Sequence, residues 1–410
     1  MLSKENFAKD WSWLDMMAVR LTYGFNGNVD RSTSVQPVIA YNTSQNVLLQ
    51  DYTATISSYG NSALRWEKTG TIDLGFDLSV LKGKLTAKLD IYNKKGTDLL
   101  ATISLPSVTG AATNKVNAAE MTNRGFELEL GTYQRFGDVR WQGAFMISYN
   151  KNKIDKMLRT AYTGYELSGR QEADSGSSAD VRYRAGYNAN TLWSYAYGGM
   201  INVGTADNPA YYPSIMQGDE KVALVQTQTG DWSDYMINSG TSVAPWNFSL
   251  SNTFSWKNFD LSFLFTGKFG HKFRRLSANY PIRTNILPNK AMADVIAQNG
   301  DTYIPFAAAP YTDYALASAV ASDMNWWTRY TRFMDYGVES ATLIRFQELT
   351  LAYTLPRTIV DKIGIGGLKI YLKGNNLHTF TFNKYDEDPE FPLGTIKPVA
   401  AYTLGLNITL

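Results

Sequence analysis

The chain has 410 residues and no cysteine, which excludes disulfides, thiolate metal sites and cysteine nucleophiles. Its 39 Lys plus Arg nearly cancel 37 Asp plus Glu, and a net charge of +2 supplies no basic footprint for nucleic acid. No run of about 18 apolar residues occurs, so a transmembrane helix is excluded, whereas 26 Tyr, 19 Phe and 10 Trp suit half-buried sheet surfaces.

The start, MLSKENFAKDWSW, has no apolar central segment and does not read as a signal peptide. The first predicted strand covers 17–25. In the next, 71–80, Ile72, Leu74, Phe76, Leu78 and Val80 share one face, and Asp73, Gly75, Asp77 and Ser79 the other. After the turn LKGK (81–84), Leu85, Ala87, Leu89 and Ile91 oppose Thr86, Lys88, Asp90 and Tyr92 in a strand over 85–93. The same alternation predicts strands at 124–136, 139–149, 246–256, 259–270, 341–354, 367–376 and 399–410. One of them, ATLIRFQELTLAYTLP, changes phase. Ile344 and Phe346 lie in one phase, Leu349, Leu351 and Tyr353 in the other, which predicts a bulge near Gln347–Glu348 or a membrane rim there.

Alternation does not say which face is inside, because a soluble sandwich hides its apolar face and a membrane barrel turns it to lipid. The connections decide. They run long (26–70), short (81–84), long (94–123), short (137–138), long (150–245), short (257–258), long (271–340), medium (355–366) and long (377–398). Outer-membrane barrels show this parity, with tight periplasmic turns and long extracellular loops. A further hairpin inside 150–245 would preserve it, so ten or twelve strands are expected. A Lys or Arg facing lipid at the bilayer midplane costs roughly 2–4 kcal/mol, and Arg20, Asp73, Asp77, Lys88, Asp90, Glu127 and Glu129 all lie opposite the apolar stripe.

Several stretches carry a family resemblance. LRWEKTGTIDLGFDLSVLKGKLTAKLDIYNKKGTDLL (64–100), VRLTYGFNGN (19–28), NRGFELEL (123–130), PWNFSLSNTFSWKNFDLSFLFTGKFG (245–270), LIRFQELTLAYTLP (343–356) and LKIYLKGNNLHTFTFNKYDEDPE (368–390) resemble, in order, the barrel of SusC/RagA-family TonB-linked outer-membrane transporters. The last strand, AYTLGLNITL, resembles the family's closing strand but ends in Leu410 where Phe is more usual. The resemblance implies an all-β fold, an antiparallel transmembrane barrel of which this chain (1–410) supplies the C-terminal half, ten to twelve strands out of about 22. The plug, the TonB-recognition segment and the signal peptide have no counterpart in the chain. It would then be a fragment, a nicked product or one half of a split barrel, with the remainder on other residues.

The resemblance also implies import of oligosaccharides, glycans or peptides together with a SusD-like surface lipoprotein and the TonB complex. Three competing readings are a complete small pore, a soluble β-rich carbohydrate-binding module and a glycosidase using paired carboxylates. No catalytic motif supports an enzyme. Ser79 and Lys82 fit SxxK only across a strand end and its turn, and His271 and His378 read as loop or strand-end residues. No cofactor is expected. The acidic run YDEDPE offers Asp386, Asp388 and Glu390 to a hard cation such as Ca²⁺, or else forms a solvated extracellular loop. Aromatic residues near or in the long loops, Trp193, Tyr195, Tyr197, Trp232, Trp326, Trp327 and Tyr330, are candidates for contact with substrate or lid. Packing of the loops against each other competes for the same side chains.

Overall fold

The computed structural model describes residues 3, 5, 11–29, 35–104, 108, 113–157, 184–207, 211–223, 236–275, 333–391 and 395–409. Ten strands form one antiparallel sheet in which every neighbour in space is a neighbour in sequence. They are β1 (Leu14–Asn28), β2 (Glu67–Val80), β3 (Leu85–Ser104), β4 (Thr113–Phe136), β5 (Val139–Lys156), β6 (Trp246–Trp256), β7 (Phe259–Phe269), β8 (Leu343–Thr354), β9 (Gly367–Thr381) and β10 (Ala401–Thr409). No strand from 150–245 enters this sheet among the described residues. Instead Thr191–Tyr195 pairs with Met236–Thr241, while Tyr197–Asn202, Tyr211–Gln217 and Glu220–Ala223 make a small sheet of their own.

The tight turns fall where alternation predicted them. Gly137 (φ 59°) and Lys257 (φ 51°) each open a two-residue connection in the left-handed geometry that matches strand twist. Lys257 lacks glycine's freedom, and the adjacent Asn258 steadies the turn by donating its side-chain amide to the Thr354 carbonyl at 2.6 Å. The medium connection after β8 holds a short helix, Arg357–Val360, and a 3-10 turn, Asp361–Ile363, closed by Gly364 at φ 73°.

At the opposite end, the strands run further than predicted. β3 and β4 stay paired from Leu85↔Thr132 to Ser104↔Thr113, so most of the expected loop 94–123 is strand. The 20 residues of β3 are about twice what a tilted strand needs to cross a bilayer. Beyond Ile91 the strict alternation stops while the backbone pairing continues.

The register aligns the stripes. Leu21, Leu74, Ile91, Phe126, Tyr149, Trp246 and Phe269 form one row across seven strands. Phe76, Leu89, Leu128, Ile147 and Phe248 form the next. On the other face Asp77, Lys88 and Glu129 stand in line. Among the described residues no packed core lies behind the apolar rows: Phe76, Leu128 and Phe263 are partly exposed, and Leu351 and Leu372 in mid-sheet are 49% and 51% exposed. Fully buried large side chains sit chiefly among the loops, at Trp193, Tyr195, Ile215 and Met334.

The phase change in β8 is a bulge. Leu264 and Phe265 of β7 face Glu348 and Phe346, leaving Gln347 unmatched. Opposite it on β9, Asn376 and Leu377 fall outside the ladder, with Asn376 at φ 52° accepting a 3.0 Å bond from the Gln347 amide. The extra residues bring Ile344, Phe346, Leu349, Leu351 and Tyr353 to one face.

Two aromatic bands bound the apolar stripe. Trp246 packs on Tyr149 and Phe126, with ring centroids 4.5 and 5.8 Å away; at the turn end Phe259 packs on Trp256 and Tyr353 at 6.4 and 4.6 Å. Trp246 and Trp256 end the 11-residue strand β6. At a tilt near 40° they are about 25 Å apart along the barrel axis, the height of a lipid-facing band. Asn252 places an amide within the stripe. It is buried, and its carbonyl accepts the Trp141 indole N–H at 2.8 Å beneath a Trp141–Phe254 stack.

In outer membranes, Phe263→Arg is expected to destabilise the folded barrel by about 2–4 kcal/mol, read as loss of the heat-modifiable band on semi-native gels, whereas Ser262→Arg on the other face leaves that band intact. Equal tolerance of the two variants contradicts the orientation. Trp141→Phe strands the Asn252 carbonyl and is expected to cost about 1–3 kcal/mol, most of it recovered when Asn252→Leu is added.

Candidate functional site

The polar face of the sheet is an ion-pair lattice. Arg20 of β1 reaches Asp77 at 3.0 Å and Asp90 at 3.1 Å, lying over Gly75, where a Cβ would come within 2.8 Å of the guanidinium. Lys369 pairs with Asp260 at 2.8 Å and Lys373 with Glu348 at 2.7 Å. The cations of these pairs are each a third or more exposed, so each pair adds little stability. Their collective effect is to make this face wettable.

Near the loop end, the face acquires a cover. The segment after β9 turns at Asn383, whose side-chain carbonyl accepts the Tyr385 and Glu387 backbone N–H groups at 3.2 and 3.0 Å, while its amide donates to the Glu387 carbonyl at 2.7 Å. This knot aims four carboxylates at donors on the sheet and the neighbouring loop. Asp386 accepts from the Thr381 hydroxyl. Glu387 receives two bonds from Arg275, at 2.7 and 3.0 Å, while that guanidinium lies 3.2 Å from the centre of the Tyr385 ring. Asp388 pairs with Arg345 at 2.9 Å, and Glu390 bridges Arg345 at 2.7 Å and Lys268. Arg345 also donates to the Thr379 hydroxyl at 2.7 Å.

The three carboxylates considered for a hard cation, Asp386, Asp388 and Glu390, therefore already accept protein donors, and no metal-ready cluster occurs among the described residues. Asp388 is 4% exposed, and Arg345 compensates its burial. Burial opposes charging of Glu390, yet Lys268 and Arg345 outweigh it and hold its pKa below the usual glutamate range. The clamp contributes its full stability above the ordinary glutamate pKa and loses it as pH falls through the depressed value.

The aromatic candidates divide. Trp193 and Tyr195 are 1% and 0% exposed and pack inside the loop base. Arg274 spans that base, donating to the Trp193 carbonyl at 2.7 Å, the Ser194 hydroxyl at 3.0 Å and the Met334 carbonyl at 3.2 Å. Tyr197 is half-buried, edge-on to Tyr336 at 5.2 Å, with its backbone N–H bonded to Asp335 at 3.1 Å. Trp232, Trp326, Trp327 and Tyr330 lie outside the described residues. The arginines Arg274, Arg275 and Arg345 organise the site, and the sequence reading did not single them out. The available signal was an Arg–Arg pair just past β7 and an arginine in the polar phase of β8, facing an acidic run with no other stated partner.

An ionic face that supports loops on one end, an apolar band about 25 Å tall and a ten-stranded meander describe a barrel wall. A family described as TonB dependent receptor-like, beta-barrel, matches residues 7–377. The chain belongs to this family. Its place is the outer membrane, with the apolar stripe in lipid and the ionic stripe toward the lumen, and the family comprises receptors rather than enzymes. A TonB-dependent receptor of Formosa agariphila is 27% identical over all of this chain and 41% of its own length. SusC of Bacteroides thetaiotaomicron is 26% identical over 96% of the chain and 37% of its own length. The fold also matches a structure of the RagAB peptide transporter, with a TM-score of 0.69, 20% identity, and coverage of 99% of this chain and 42% of that one. The chain thus spans about two-fifths of the length of these relatives.

Removing the clamp's cation with Arg345→Met leaves Asp388 buried without its partner. The expected result is faster proteolysis within 383–391 at neutral pH, by at least about tenfold. In the unaltered protein the same cleavage is expected to stay slow down to the ordinary glutamate pKa, to accelerate as pH falls below it and to level off below the depressed value. Cleavage that rises earlier refutes the assignment of Glu390.

Proposed function

We propose that this chain is the C-terminal part of the barrel of a SusC/RagA-type, TonB-dependent transporter importing oligosaccharides or peptides. The observation that carries the reading is the open sheet. Among the described residues β1 pairs only with β2, and β10 only with β9, while their apolar faces stay fully developed: Leu21, Tyr23 and Phe25 on one edge, Tyr402, Leu404 and Leu406 on the other. Hydrocarbon supplies no hydrogen-bond partner to an unpaired strand, so each edge calls for another strand. The remaining strands, the plug and the TonB-recognition segment would then lie on other residues, as the greater length of the relatives suggests.

In this reading the long loops of β5–β6 and β7–β8, with the clamp beneath them, form the extracellular mouth and meet a SusD-like lipoprotein. The structural neighbour described as a peptide importer favours peptides, and the kinship with SusC leaves oligosaccharides equally open. The open edges speak against a complete ten-stranded pore, and the exposed apolar rows against a soluble binding module.

The test is purification from the outer membrane in detergent followed by mass spectrometry. The expected complex contains this chain together with plug-bearing residues and a surface lipoprotein, and uptake by cells ceases when TonB is deleted. Extraction without detergent, or ion conductance by this chain alone, overturns the proposal.

A further inference from the structure

A cavity of about 520 Å³ opens between the clamp and the loop base. Its wall includes Asn247 and Lys268, cross-strand partners at the ends of β6 and β7, with Ser242, His271, Lys272, Arg274 and Glu390. Lys268 and Lys272 face one carboxylate, Glu390, and that carboxylate is already shared between Lys268 and Arg345. Lys272 is the cation left to the cavity.

Two details show that the wall is built rather than incidental. His271 is 7% exposed, and its Nδ1 has no hydrogen-bond partner. An unsatisfied buried polar atom costs about 1–3 kcal/mol, and the imidazole nonetheless lines the cavity. Lys272, meanwhile, makes no ion pair among the described residues, yet its stem is held in place: it lies in the short strand Lys272–Arg274, paired with Val338–Ser340, and crosses Gly240, where an added Cβ would meet its Cγ at 2.7 Å. Gly240 has φ 119°, so the backbone there is also one that side-chain-bearing residues rarely adopt.

We infer that this cavity is an anion-accepting subsite for the transported solute, taking a carboxylate or an oxyanion ester between Lys272, His271 and the Asn247 amide. Its size suits one sugar unit or one amino-acid residue. A cation that is not already neutralised by a protein carboxylate can exchange water for an anionic ligand without breaking an existing pair. The inference rests on the transport reading in one respect, that the polar face of the sheet borders an aqueous passage.

The test is anomalous diffraction from crystals of the complete transporter soaked with selenate, a tetrahedral oxyanion, or with 4-bromobenzoate, a carboxylate. Either probe is expected to give a peak beside Lys272 and His271; the one that occupies the cavity at lower concentration identifies the chemistry. Lys272→Gln is expected to lose the peak and Lys272→Arg to restore it. No peak with either probe, or a peak that persists in Lys272→Gln, overturns the subsite while a closed, water-filled barrel in the same crystals leaves the transport reading standing. Crystals in which the polar face packs against protein instead would defeat both.

Discussion

Every backbone donor and acceptor crossing hydrocarbon must find its partner on another strand, because the solvent there supplies none. That requirement governs this structure more than any side-chain contact does. It accounts for the meander, in which each strand lies beside its sequence neighbours, and for turns of two residues that hold adjacent strands in register. It also accounts for the bulge. Gln347, Asn376 and Leu377 leave the ladder locally, and the Gln347–Asn376 amide bond binds the two displaced segments together.

With the backbone satisfied, the two faces are free to differ. The outer face needs only to be apolar and smooth, and the amide of Asn252 is tolerated there because Trp141 supplies a donor and Phe254 covers the pair. The inner face is held in water by opposed charges such as Arg20 with Asp77 and Asp90. Those pairs are individually weak at their exposure. Where the loops fold back, exposure drops, and the same chemistry becomes structurally decisive: Arg345 and Asp388 are 16% and 5% exposed at the side chain, so losing either leaves an uncompensated charge.

The loop base is the nearest thing to a conventional core. Trp193, Tyr195 and Met334 are sealed from solvent, and Arg274 joins segments 80 residues apart through the Ser194 hydroxyl. The cavity beside Lys272 lies where this loop base meets the wall.

Alternation along the sequence determined that this is a sheet, which residues share a face, where the short turns fall and, through loop parity, that the apolar face is outermost. These are properties of a period of two and of local turn chemistry, which need no tertiary partner. The acidic run was equally visible, but its role was not. Whether Asp386, Asp388 and Glu390 gather a cation or an arginine depends on Arg345 and Lys268 arriving from strands 40 to 120 residues away. Likewise, Trp193 and Tyr195 read as candidate contact residues until the fold buried them, because exposure is set by what packs on a side chain. The upper reach of β3 and β4 was hidden for a related reason. Past Ile91 the alternation breaks, with Leu99 and Leu100 adjacent, so hydrogen bonds between distant segments continue a strand that no period of two marks.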